Sequence, residues 1–294
     1  MNRIVMRSTL VVGALCLAAC ATTQSRMHRA LDPSMERALS TEGYLATVAG
    51  ISQYPERLTR GDGYVYLSDL APQMRYLATV GDTARFRALR SFVYQKMMRR
   101  DAAGMAPILA YREGAASRPA TPYGVRFLRE ALRGGWRLMG DTLSATMLAQ
   151  MQAVDAPLAG NSTRIYQLTM DCNNAEEAVG TDPAPARAVV ARAKAVVGNL
   201  AAAAEQAASG STEIDGETDL LSCLTRVGLA LQDPDVTVRY LDRLLDQLNP
   251  LLSHSGRPSL GTSADVLFTL YRVRRAGPAY YDPGSYLRPV AHGR

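Results

Sequence analysis

Apolar residues recur at helical spacing through most of the chain. Between Tyr64 and Arg100, Leu70, Met74, Leu77 and Ala78 fall on one stripe, and Phe86, Leu89, Val93 and Met97 fall on another. The two stripes predict two amphipathic helices, each with one apolar face. Gly81 can adopt the left-handed conformation that ends a helix, and Asp82 can accept from the free N–H groups that begin the next, so the pair predicts a tight αα-hairpin. Pro72 either kinks the first helix or marks its start. One such hairpin leaves both stripes uncovered and needs copies of itself. Candidates are Leu138 to Gln150 around Gly140-Asp141, Leu231 to Leu245, and a weaker Arg274 to Leu287.

The remaining segments extend this pattern. Asp32 and Pro33 predict a helix start, with the helix running to about Ser52. Ile108 to Tyr111 predicts a short strand or extended loop edge, Tyr123 to Met139 and Leu143 to Val154 a second hairpin, and Ile165 to Val179 a helix. Pro185 to Ala208 is alanine-rich and helical, with Gly198 weakening its middle. Gly210 to Gly216 is the best linker candidate, read as a surface loop within one domain, before helices over Leu220–Leu231, Asp235–Leu252 and Ser263–Arg275. The expected fold is all-α, built of αα-hairpin repeats. Irregular spacing between corners favours an (α/α) toroid over an open solenoid, and the tetratricopeptide period is absent.

The first twenty residues stand apart. Arg3 and Arg7 precede the apolar run Leu10 to Leu17, which ends in Leu17-Ala18-Ala19-Cys20. A basic start, a short apolar core and small residues before the cut site predict an export signal too short to span a membrane durably. The ending resembles the lipobox of bacterial lipoproteins, which implies cleavage before Cys20 and acylation of its thiol. With Ala21 rather than aspartate next, the resemblance implies an outer-membrane lipoprotein facing the periplasm. The expected organisation is a signal at 1–19, a lipidated tether at 20–31 and a single helical domain at 32–294.

Composition changes this picture little. The full chain carries 33 basic and 27 acidic residues, and the excess is spread as arginines, with Lys96 and Lys194 the only lysines. Solvated helix faces account for that charge in preference to a nucleic-acid or anionic-glycan groove, and no nucleic-acid partner is expected. After export and acylation two cysteines remain, Cys172 and Cys223, either paired in an oxidising compartment or buried as free thiols. Asp171 to Asn174 reads as a polar loop beside such a disulfide. His28, His254 and His292 lack partners at metal-ligand spacing, and no serine-hydrolase elbow or phosphate loop is present, so no metal or cofactor is expected.

Ser68-Asp69, Ala110-Tyr111-Arg112 and Ala131-Leu132 with Trp136 and Gly140-Asp141 occur in the order in which bacterial family-8 glycoside hydrolases place a Ser-Glu-Gly helix start, a Trp/Tyr-Arg strand and a later helix ending in Gly-Asp. About a third of the chain resembles the front half of that family, which implies a six-hairpin toroid, possibly incomplete here. The resemblance puts Asp69 at the general acid, one methylene shorter than the family's glutamate, with Leu70 in place of its glycine. Ala120 to Arg126 lacks the aspartates expected there. An inverting glycosidase needs two carboxyls about 6.5–9.5 Å apart. Glu113 or Asp62 is the candidate base, and Tyr64, Tyr66, Tyr111, Arg112, Tyr123 and Trp136 are candidate sugar contacts, although core packing is the simpler account of Trp136. These departures imply a glycosidase-like protein that has lost hydrolysis and binds envelope polysaccharide or the proteins of its synthesis and export. The competing expectations are an active endo-β-glycanase using Asp69, and a helical scaffold for protein partners.

Overall fold

The computed structural model describes residues 25–47, 58–101, 104–151, 165–204, 211–253 and 259–276. The protein is all-α in the main. Helices α1 (25–47), α2 (Leu67–Val80), α3 (Thr83–Phe92), α4 (Pro122–Met139), α5 (Thr142–Gln150), α6 (Ile165–Ala178), α7 (Ala184–Ala204), α8 (Ser211–Ala230), α9 (Pro234–Ser253) and α10 (Leu260–Arg274) follow one another. Two small ribbons interrupt them: β1 (Val65–Tyr66) pairs antiparallel with β4 (Ala110–Tyr111), and β2 (Met98–Asp101) with β3 (Gly104–Pro107).

The expected hairpin corners form as their chemistry dictates. Gly81 sits at φ 80°, and the Asp82 carboxylate accepts from the Arg85 N–H at 3.0 Å. Gly140 at φ 64° and Asp141, which accepts from the Ser144 N–H, repeat the arrangement. At the third corner Gln232 takes φ 55° in place of glycine, and Asp233 accepts from the Val236 N–H. A left-handed residue followed by an aspartate cap is thus the common device.

All eight residues of the two leading stripes are buried, at 0–1% exposure. Burying each of the larger ones contributes about 1.5–3 kcal/mol. Unlike the one-faced helix expected, α2 is buried nearly all round, with Asp69, Gln73 and Arg75 enclosed along with its apolar stripe. It packs along α4 on one side and α10 on the other; α8 packs along α6 and α10; and α3, α5, α7 and α9 each pair with the helix before them. The apolar core falls into two clusters, one around α2 to α5 and the ribbons, the other around α1 and α6 to α10.

Several boundaries move for identifiable reasons. Helix α1 is already formed at residue 25, seven before Asp32, and runs through Pro33, because Met27 and Leu31 are buried in the second cluster and extend the stripe backwards. Its first turns therefore occupy part of the expected tether. Residues 211–216, the linker candidate, are the opening of α8, and Asp171–Asn174 lies within α6 rather than in a loop. The second stripe ends in a π-helical turn, Val93–Met97, from which the chain passes into β2, so 98–100 are strand. Helix α5 ends at Gln150. Cys20, the leader, the end of the α1 prediction near Ser52, the His254 and His292 positions and most of the fourth hairpin candidate lie outside the described residues. Among the described residues no helix is long and apolar enough to cross a membrane.

Close packing between α2 and α10 depends on Gly261. A methyl group there would overlap the carbonyl oxygen of Ser68, which is backbone and cannot swing away. Gly261→Ala should destabilise the protein by about 1–3 kcal/mol, read by thermal unfolding, as overpacking of a tight contact does.

Candidate functional site

The chain enters α2 through a tight turn that builds the candidate site. With Gly63 at φ 81°, Asp62 accepts from the Tyr64 N–H at 3.0 Å and from the Tyr66 hydroxyl at 2.6 Å. The Tyr66 hydrogen bond, then that of the Tyr64 N–H, holds the Asp62 carboxyl below the usual aspartate range, and the same bond raises the Tyr66 phenol. Arg112, the residue after the strand that pairs with β1, stacks 4.4 Å above the Tyr64 ring and donates to the Asp62 carbonyl at 3.4 Å. Tyr64, just before β1, and Tyr66 within it have their ring centroids 6.2 Å apart.

Arg60 is the residue that sequence reasoning missed. Its guanidinium lies 4.5 Å from the Tyr66 ring centroid and grips Asp69 with both arms, Nε to Oδ2 at 2.8 Å and Nη2 to Oδ1 at 2.7 Å. The Gly261 N–H, in the first turn of α10, adds a third donor at 3.3 Å. Asp69 is only 1% exposed. A bidentate fork occupies both carboxylate oxygens. Asp69 is therefore held as an ion-paired anchor for the 58–66 loop, not displayed as a proton donor.

The other expected site residues are placed differently. Glu113 is exposed in the turn after β4. Tyr111 pairs in register with Val65 and so lies on the opposite face of the ribbon from Tyr64 and Tyr66, against Phe92 and near Lys96. Tyr123 donates its hydroxyl to Asp219 of α8 at 2.9 Å and packs on Phe127 and Tyr166; burial, then the Asp219 charge, pushes its phenol well up. Trp136 is not core: it is 47% exposed at the far end of α4, roughly 20 Å along the axis from Tyr123 at 1.5 Å per residue. Asp62, Tyr64, Tyr66, Asp69 and Arg112 are thus brought together, and Glu113, Tyr111, Tyr123 and Trp136 are not part of that cluster.

Where α2, α4, α6, α8 and α10 converge, charge fills the interior. Arg226, fully buried on α8, donates to Glu176 at 2.9 Å, to both Asp265 oxygens at 3.1 Å, to Thr269 at 2.7 Å and to Asn173 at 3.0 Å. Arg75 pairs with Glu130 at 2.7 Å and with Asp265, and Arg272 pairs with Glu176. Arg126 links α4 to α6 through Asn174 and the Asn173 carbonyl. The cavity bordered by Arg75, Thr79, Glu130, Arg133, Gly134, Leu138 and Phe268 has a volume of about 10 Å³, room for one water molecule and not for a sugar.

Burial alone would raise the Glu176 carboxyl, but Arg226 and Arg272 outweigh it and hold it at about 2, against 4.5 for a free glutamate. Because the folded-state value is depressed, this group's stabilisation is fully present above about pH 4.5 and is lost as pH falls towards 2. The melting temperature should drop across that window, and Glu176→Gln should shallow the drop.

Cys172 of α6 and Cys223 of α8 form a disulfide with Cα atoms 6.2 Å apart. Among the described residues no group of three or more His, Cys, Asp or Glu side chains is placed to hold a metal ion. Comparison with protein-family models, curated proteins and solved structures gave no match to this chain.

Proposed function

We propose that this chain is an exported, lipid-anchored envelope protein that binds polysaccharide on the surface formed by exposed Asp62 and Arg112 with half-buried Tyr64 and Tyr66, and does not hydrolyse it. The locked state of Asp69 carries this reading. The one carboxylate that the glycosidase resemblance places as general acid is buried in an arginine fork, while Asp62 beside it is exposed and held ionised by hydrogen bonds. Two tyrosine rings with a stacked guanidinium and a carboxylate remain, which offer flat faces for C–H groups and donors and acceptors for hydroxyls.

In the same reading α2, α4, α6, α8 and α10 are the inner helices of a toroid. The neighbour sequence α4–α2–α10–α8–α6, with Arg126 and Arg133 of α4 reaching Asn174 and Glu177 of α6, supports closure into a ring. Helices α3, α5, α7 and α9 form the outer layer with α1, which is tied to α9 by Ser34–Asp242 and to α10 by Glu42–Arg274. Among the described residues that is five pairs, one fewer than the six-hairpin glycosidases. Export is supported by the leader and by a disulfide that an oxidising compartment would preserve.

Protein lacking the leader should be retarded in gels containing envelope or β-linked glycans, release no reducing ends, and lose retardation in Tyr64→Ala/Tyr66→Ala. Reducing ends that disappear in Asp69→Asn would establish the enzyme reading instead. Exposed Trp136 and Tyr166 favour, as a second reading, a docking surface for envelope proteins. No glycan retention, with specific protein co-purification lost in Trp136→Ala, would establish that one. Labelled palmitate should enter the full chain and not Cys20→Ser.

A further inference from the structure

The two ribbons form one strand cap. The Ile108 N–H donates to the Met97 carbonyl at 2.9 Å, the Leu109 N–H to the Arg118 carbonyl at 2.8 Å, and the Leu67 N–H to the Leu109 carbonyl at 3.0 Å, so both ribbons and the 117–120 segment are stitched together. Lys96, Arg99, Arg100, Arg112 and Arg118 are all exposed on this cap. Asp62 and Glu113 are exposed on the same cap, which leaves the cations in excess.

What these cations touch separates them from the interior arginines. Arg75, Arg126, Arg226 and Arg272 each meet a carboxylate. On the cap, Arg99 donates to the Ser117 hydroxyl and carbonyl, Arg100 to the Tyr94 hydroxyl, and Arg112 to the Asp62 carbonyl, all neutral oxygens. Arg100 lies 4.8 Å over the Tyr94 ring, Arg112 4.4 Å over Tyr64, and Lys96 5.9 Å from the Tyr111 centroid. These contacts orient the cations without cancelling their charge. Among the described residues no carboxylate forms an ion pair with any of the five. Like charges gathered this way repel one another until an anion arrives, and pre-oriented guanidiniums lose little freedom when it does.

We infer that the strand cap takes a polyanionic glycan, a chain bearing carboxylates on successive sugars, with Arg99, Arg100 and Arg112 as the carboxylate forks and the tyrosines as flanking sugar faces. Planar guanidinium matches a carboxylate with two parallel hydrogen bonds, which a neutral sugar cannot accept at full strength. The inference rests on the polysaccharide-binding reading and names the substrate class for it.

The test is the affinity of leaderless protein for polygalacturonate, a neutral β-glucan and duplex DNA. Polygalacturonate should bind at least tenfold tighter than the other two, and binding should weaken as salt is raised from about 50 to about 500 mM, since exposed charges are screened. Arg99→Gln/Arg100→Gln/Arg112→Gln should lose at least tenfold for polygalacturonate with an unchanged melting temperature. Should that variant unfold, the salt dependence and the ligand ranking of the natural sequence still decide. Equal binding of the neutral glucan would overturn this inference and leave polysaccharide binding standing. Equal binding of DNA would overturn it as unspecific attraction, and no glycan binding at all would overturn both.

Discussion

Arg226→Met should lower the free energy of unfolding by about 3–5 kcal/mol, as removal of one member of a buried ion pair does. For a chain of this size that is a fall in melting temperature on the order of 10 °C. Methionine has similar length and is apolar, so loss of packing is small. The cost arises because buried Asp265 and Glu176, whose side chain is only 8% exposed, lose the guanidinium that met three of their oxygens. Arg75 and Arg272 still reach those two acids and moderate the loss. The informative control is Arg37→Met. Arg37 pairs with Asp246 at 2.5 Å, but both partners are largely exposed, and such surface pairs contribute about 0–1 kcal/mol. Equal effects at the two sites, measured by denaturant unfolding, would show that the interior network does not carry the weight assigned to it.

Removing the disulfide should cost nearly as much. The bond between Cys172 and Cys223 spans a sequence separation of 51, and in the chain-entropy model closing a loop of that length stabilises the native state by about 4 kcal/mol. Cys172→Ala/Cys223→Ala, or the natural sequence under reductant, should unfold correspondingly earlier. Identical unfolding with and without reductant, together with alkylation of two thiols in the untreated protein, would sink this prediction. The two effects should not add. Cys172 adjoins Asn173, which accepts from Arg226, and Cys223 lies one turn from Arg226 on α8. Residues sharing one network couple by about 0.5–3 kcal/mol, so the combined variant measures how far the disulfide holds the arginine in place.

The hairpins were legible because their signals are local. A stripe at helical period, a residue able to turn left-handed and an aspartate after it specify helix, corner and helix without reference to anything distant, and the corners at 81–82 and 140–141 formed accordingly. Gln232 shows the same corner without glycine, held by its aspartate cap and the helices either side. Polar residues were harder to place. Asp171 to Asn174 reads as a loop because nothing in the sequence announces that Arg226, 53 positions beyond Asn173, will satisfy its side chain. Trp136 reads as core because large aromatics usually are, yet it lies on the outer side of α4 while small Gly134 and Gly135 face the neighbouring helices.

The candidate site divides in the same way. Asp62, Tyr64 and Tyr66 belong to one turn, so their association follows from sequence proximity. That Arg112 joins them depends on β4 pairing with β1, and that Asp69 is an anchor depends on Arg60 folding back and on α10 arriving with Gly261.

By itself the sequence determined that this protein is helical, where its corners fall and which faces are apolar, since backbone propensity and hydrophobic period act over a few residues. Only the tertiary structure decided which charges are cancelled and which are displayed. An arginine is long, has many rotamers and pairs with whatever carboxylate the packing of separate helices brings within reach. Arg226 and Arg112 look alike in the chain; one is neutralised where five helices meet, and the other stays charged on a tyrosine at the surface.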